Sequence, residues 1–144
     1  MAAVQNIVLN DAQGSPVAHT FIPLGPDKSG AWWYEDQTGT APIGYNRISL
    51  QLIRPSSPVS GADSGDRTAR VKVGLHTPKL ETLGTNDNGL TPPPTVAYIP
   101  RCNVEFIMSE RSTLQDRKDL RKFIDFLMAE AQLTAMVETL QNVY

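Results

Sequence analysis

Polar and apolar positions follow two different rhythms along this chain. From Arg101 to Phe106 they alternate strictly, with Cys102, Val104 and Phe106 on one side and Arg101, Asn103 and Glu105 on the other. A period of two marks a strand with one covered face. From Ser112 the rhythm lengthens. Leu120, Phe123, Ile124, Leu127 and Met128 recur at helical spacing, with Arg117, Lys118, Arg121, Lys122 and Asp125 opposite. Ser112 and Gln115 have the spacing of a capping box, and Asp116 adds charge where a helix dipole favours it. A second stripe, Leu133, Met136, Val137 and Leu140, falls out of phase with the first. One straight helix would point half its apolar surface at water, so the phase jump predicts a break near Ala129–Leu133, set by packing because no Pro or Gly lies there.

Upstream, period-two segments and turn residues predict strands at Asn6–Asn10, Pro16–Ile22, Ala31–Glu35, Arg47–Ile53 and Thr68–Leu75. The first two form a hairpin around Gly14. Pro23–Gly30 reads as a loop, Pro55–Asp66 as a Ser/Gly/Pro connector, and Pro78–Pro94 as a long loop with a short strand near Lys79–Leu83. A loop that long in a compact domain usually has a function of its own. The expected class is α+β, with an N-terminal hairpin, an antiparallel sheet and two C-terminal helices. The 144 residues are read as a single domain, with the hairpin at 1–23, the sheet at 31–108 and the helices at 112–144.

Ser49 and Gln51 share the polar side of their strand, as do Thr68, Arg70 and Lys72 of theirs, and Arg101 and Asn103 of theirs. If these strands are neighbours, the polar faces merge into a flat platform with at least three cations and several neutral donors. Many antiparallel sheets simply have a solvated face, but cations with few matching acids suit phosphate. Overall charge is no guide, because 13 basic residues stand against 15 acidic ones. The one cysteine, Cys102, excludes an internal disulfide, fits a reducing compartment, and is expected to be a buried, inert thiol. No apolar run approaches the ~20 residues of a membrane span, and the first residues lack the features of a signal peptide, so a soluble protein made in a cytoplasm is expected.

Other features read blandly. Trp32-Trp33-Tyr34 cannot all face one way, and core or subunit contact suits them better than base stacking. His19 and His76 lack a second ligand at metal spacing. Asn86-Asp87-Asn88-Gly89 lacks the downstream Glu of a calcium loop and reads as a turn. Gly61–Gly65 has no following Gly-Lys-Ser/Thr, so it is no phosphate loop. No nucleophile, base and orienting group form a set, so no enzyme, cofactor or metal is expected.

The run from Ser112-Thr113-Leu114-Gln115-Asp116-Arg117 to Leu133-Thr134-Ala135-Met136-Val137-Glu138-Thr139-Leu140-Gln141-Asn142-Val143-Tyr144 resembles the coat proteins of the small positive-strand RNA bacteriophages, the levivirus type, and among them the Q-beta-like branch. Gly30, Gly39, Pro42, Arg47, Pro55 and Pro78 fall in the same register, so the resemblance covers most of the chain. It implies an N-terminal hairpin, a five-stranded antiparallel sheet and two helices, in an intertwined homodimer whose helices lie across the partner's sheet. Dimers would close into an icosahedral shell with a triangulation number of three, assembled in the bacterial host cytoplasm and forming the virion.

The resemblance also implies that the inner sheet face binds the phage genomic RNA, and that one RNA hairpin is bound tightly enough to make the protein a translational repressor of the replicase. The RNA-facing positions it marks are Ser49, Gln51, Thr68, Arg70, Lys72, Arg101 and Asn103, the same ones that alternation places on the polar side. Two departures stand out. Arg101 occupies a place where the family usually has a base-stacking Tyr, although a guanidinium plane also stacks on bases. Lys79–Ala97 contains no cysteine where close relatives cross-link their shells, so this shell would depend on non-covalent contacts around its symmetry axes. The alternative from another class is a cellular nucleic-acid-binding module with a sheet platform that never forms a shell.

Overall fold

A computed structural model of the chain describes residues 3–84 and 89–142. Asn86, Asp87 and Asn88 of the expected turn lie outside the described residues. Among the described residues eight strands are present: β1 (Ile7–Asn10), β2 (Ala18–Pro26), β3 (Trp32–Asp36), β4 (Asn46–Ile53), β5 (Thr68–His76), β6 (Lys79–Leu80), β7 (Val96–Tyr98) and β8 (Arg101–Ser109). Two helices follow, α1 (Leu114–Met128) and α2 (Ala131–Glu138).

One sheet holds six strands in the order β1-β2-β3-β4-β5-β8, while β6 and β7 pair separately. The expected five-stranded sheet with a separate hairpin is thus corrected to six continuous strands. The cause lies in β2, which runs past Ile22 to Pro26 and pairs antiparallel with β3. Its prolines are accommodated by a register shift between Pro23 and Gly25, where Gly25 adopts φ 118°. A bulge of this kind places residues that cannot donate to the ladder where no donor is needed.

The chain divides into two compact units, Met1–Pro55 with Ala69–Ile107, and Ser56–Thr68 with Met108–Tyr144. In the first unit, Phe21, Tyr34 and Ile48 form a buried cluster with Ile7, Leu50 and Leu75 against it. Cross-strand register makes this one face, because Tyr34 opposes Ile48 and Ile48 opposes Leu75. The face is thinly covered: Trp32 and Leu52 stay exposed, and an apolar hollow of about 520 Å³ opens beside Tyr34, Leu50 and Val71. Cys102 is exposed, not buried as expected; it stands on β8, the last strand of the sheet order, where nothing among the described residues closes over it.

The short β6–β7 ladder is fixed at its base. The Thr77 amide donates to the Pro100 carbonyl at 3.1 Å, and the Glu81 amide to Thr95 at 2.9 Å. Leu80 rests on Gly44, at the end of a short 3-10 turn (Pro42–Gly44). A Cβ at position 44 would lie 2.9 Å from Leu80 Cγ and 3.0 Å from Cδ1. Gly44→Ala is therefore expected to destabilise the fold by about 1–3 kcal/mol through overpacking. The check is a lower denaturant midpoint at fixed protein concentration with an unchanged slope.

In the second unit, Arg67 Nε and Nη2 donate to Glu110 at 2.6 and 3.2 Å, and Nη2 also reaches the Ser56 carbonyl at 2.6 Å. This bidentate contact clips the connector beside the start of α1. The capping box at that start is formed by Thr113 and Asp116, one residue later than the expected Ser112 and Gln115. The Asp116 amide donates to Thr113 Oγ1 at 3.1 Å, and the Thr113 amide to Asp116 Oδ2 at 2.8 Å. Ser112 instead turns its hydroxyl to the Ser109 carbonyl. The carboxylate wins the frame because it brings charge to the helix N-terminus as well as an acceptor. The helical break falls at Ala129–Glu130, inside the expected window. Neither helix buries a single residue: Phe123, Phe126, Met136 and Val137 are all exposed. Among the described residues, no helix is long and apolar enough to cross a membrane.

Candidate nucleic-acid interface

Register assembles the polar side of the sheet. Ser49 opposes Gly74 and Gln51 opposes Lys72, while on the other flank of β4 Trp33 opposes Ser49 and Glu35 opposes Arg47. Ser49, Gln51, Lys72, Gly74 and Asn103 line a shallow hollow of about 520 Å³ with Trp33 at its wall. Gly74 makes this crowding possible. A Cβ there would stand 2.6 Å from Ser49 Oγ and 3.3 Å from Asn103 Oδ1. A side chain at position 74 would force the two polar groups apart.

Four of the seven expected residues, Ser49, Gln51, Lys72 and Asn103, thus share one hollow. Arg70 lies one step outside it, opposite Ile53, and is linked to Lys72 through Glu105. Thr68 opens β5 and Arg101 opens β8, so both extend the polar side along their strands. Gln51 is not a free donor, because its Nε2 gives a 2.7 Å hydrogen bond to the Ser29 carbonyl of the β2–β3 turn.

The cation excess is smaller than the alternation implies. Glu105 Oε1 is 3.5 Å from Arg70 Nη1 and 3.9 Å from Lys72 Nζ. Glu35, 7% exposed, accepts from Arg47 Nε at 2.9 Å. The Arg70 and Lys72 pairs are long and solvent-exposed, and such pairs add little stability. A phosphate could displace Glu105 readily. Among the described residues, Arg101 has no ion-pair partner.

Trp33, read from the sequence as a core or subunit contact, and Asp27, which the sequence did not single out, belong to this surface. Asp27 accepts from the Ser29 hydroxyl at 2.6 Å, from the Ser29 amide at 2.7 Å, and from Trp33 Nε1 at 3.0 Å. The Ser29 hydroxyl and the Trp33 indole hold its carboxyl down to about 2. Trp33 also meets the His76 ring edge-on, with centroids 5.9 Å apart. The indole is thereby fixed at the wall of the hollow. Strict alternation carried the signal: Trp33 and Glu35 must share a face with Ser49 once β3 pairs with β4 in this register.

A flat polar sheet face with cations, amides, hydroxyls and one fixed aromatic can hold single-stranded nucleic acid, through its phosphates and through stacked bases. Among the described residues, no group of three or more His, Cys, Asp or Glu side chains is placed to hold a metal ion.

Comparison with known proteins gives this surface its setting. The family model for the Levivirus coat protein matches residues 2–144. The capsid protein of Pseudomonas phage PRR1 is 30% identical over 148 residues, covering 99% of this chain and all of that protein. Among solved structures, the virus-like particle of bacteriophage ESE058 superposes with a TM-score of 0.91 at 41% identity, covering 99% of this chain and 100% of that one. The capsid of bacteriophage GA shares the fold, with a TM-score of 0.69 at 16% identity over 99% of this chain and 98% of that one. The chain belongs to the levivirus coat protein family.

Proposed function

We propose that this coat protein pairs into an intertwined homodimer, that the dimers close into an icosahedral particle around the phage RNA, and that the polar sheet face binds that RNA. The observation that carries the RNA assignment is the placement of Ser49, Gln51, Lys72 and Asn103 around one open hollow, with Arg70 beside it. Dimerisation is supported by apolar surface left open among the described residues: the hollow beside Tyr34, Leu50 and Val71, and the exposed stripes of α1 and α2. A second copy offering the complementary surface would bury both sets at once, which a two-fold arrangement achieves with a single type of contact. Assembly into particles follows from membership of the family and from likeness to the ESE058 particle. Repression of the replicase by binding one RNA hairpin belongs to the same reading, with Arg101 at the stacking position and Asn103 beside the hollow.

The test is electron microscopy of the protein expressed alone in bacteria, with its ultraviolet absorbance spectrum. Uniform round particles with a nucleic-acid-dominated spectrum are expected. Nothing larger than a dimer over a range of salt and pH would overturn the particle assignment and favour a cellular sheet-platform RNA binder. Particles devoid of nucleic acid would overturn the RNA assignment alone.

A further inference from the structure

The turn of the N-terminal hairpin is linked to the end of β3 through one imidazole held between two carboxylates, in addition to the β2–β3 ladder. His19, on β2, sets Nδ1 2.7 Å from Asp36 Oδ2 at the end of β3, and Nε2 3.4 Å from Asp11 Oδ2 in the turn after β1. The two carboxylates differ in kind. Asp36 is 2% exposed and also accepts from the Thr38 amide and hydroxyl. Asp11 braces the turn itself: its Oδ1 accepts from the amides of Gln13 and Val17, and its Oδ2 from the Gln13 side chain. Leu9, the strand partner of His19, is apolar. Asp36 and Asp11 are the charged groups that act on the ring.

A neutral imidazole has one N–H and cannot donate to both carboxylates. The buried Asp36 cannot go without its donor, so the proton of a neutral ring stays on Nδ1. Nε2 then turns a lone pair towards a carboxylate oxygen, and the contact changes from attractive to repulsive. We propose that His19 is a proton-operated latch, which fastens the hairpin turn 11–17 to the sheet when protonated and releases it when neutral.

The sign of the pH dependence follows. The hydrogen bonds to Asp36 and then to Asp11 raise the affinity of His19 for its proton above the ordinary imidazole value, and both carboxyls titrate below their ordinary range. The latch is complete below the unfolded histidine value of ~6.5 and is lost as pH rises through the raised folded one. It is lost again in acid, once the carboxylates protonate.

The test is hydrogen exchange of the assembled protein, followed by mass spectrometry on the peptide spanning the hairpin turn and corrected for intrinsic exchange rates. In the wild type, protection is expected to fall roughly twofold to fivefold between pH 6 and pH 8.5, the scale of one exposed ionic contact. His19→Gln should abolish the slope. Asp11→Asn keeps the Oδ1 acceptor of the turn but presents an amide to Nε2, which a neutral ring accepts, so its slope should reverse. Flat protection in the wild type, or the wild-type slope persisting in either variant, would overturn the latch.

Discussion

Phe123→Asp is expected to abolish particle formation while leaving a soluble chain. Phe123 is 69% exposed in the single chain, within the α1 stripe that includes Leu120 and Leu127. That exposure has a meaning in a coat protein. An aromatic side chain left in water forgoes about 1.5–3 kcal/mol of burial energy, and α1 leaves Leu127 and Met128 exposed as well. In the proposed dimer a second copy covers them, and that burial favours pairing over the separate chain. Placing a carboxylate in that contact removes the burial term and adds the cost of an ion without a partner, several kcal/mol in a dry interface. In the proposed two-fold dimer the loss applies twice.

The expected readout is a monomer by size exclusion and no particles by microscopy. Lys118→Asp is the control: it puts the same carboxylate on the polar side of α1 and should assemble normally. Wild-type particles from Phe123→Asp would mean that this stripe does not face another copy.

The extent to which the sequence shows this architecture depends on which physics sets each feature. Alternation and helical spacing act within one segment, so β4, β5, β8, both helices and the break at Ala129–Glu130 are readable from residue order alone. Features decided by partners are not. Whether Ser112 or Thr113 caps α1 turns on one residue of frame, because both have an acceptor hydroxyl and a polar residue three positions on. The extension of β2 to Pro26, which joins the hairpin to the sheet, was hidden by Pro23 and Pro26, which read as loop until β3 supplies a partner and Gly25 a bulge. The exposure of Cys102 depends on β8 ending the strand order among the described residues, with nothing there laid over it. Trp33 was readable in principle, because β3 alternates, but its place by the hollow needed the β3–β4 register. Glu105 was visible on the polar side of β8; its position between Arg70 and Lys72 follows only when β8 lies next to β5, which nothing in either strand dictates.

That position of Glu105 gives the second large effect its internal control. Replacing Arg70 and Lys72 together by alanine is expected to weaken binding of single-stranded RNA by roughly tenfold to a hundredfold at low salt, since a hydrogen bond to a charged group contributes about 1.5–3 kcal/mol. The plot of log affinity against log salt should become shallower by about 0.7 for each phosphate that no longer meets a cation. Particle formation should persist, because both side chains leave the sheet on the face opposite Tyr34, Ile48 and Leu50. Glu105→Gln should act in the other direction. The two cations would no longer have to surrender a carboxylate before meeting a phosphate, so affinity should rise and the salt slope steepen. Opposite signs from adjacent residues cannot come from general loosening of the sheet, which would weaken binding in both variants. Filter binding or fluorescence anisotropy with the dissociated dimer, at several salt concentrations, separates the cases. If the double alanine variant binds RNA with unchanged affinity and slope, the polar face is not where the RNA lies. If it weakens while Glu105→Gln does nothing, the face binds RNA but Glu105 does not compete for the cations.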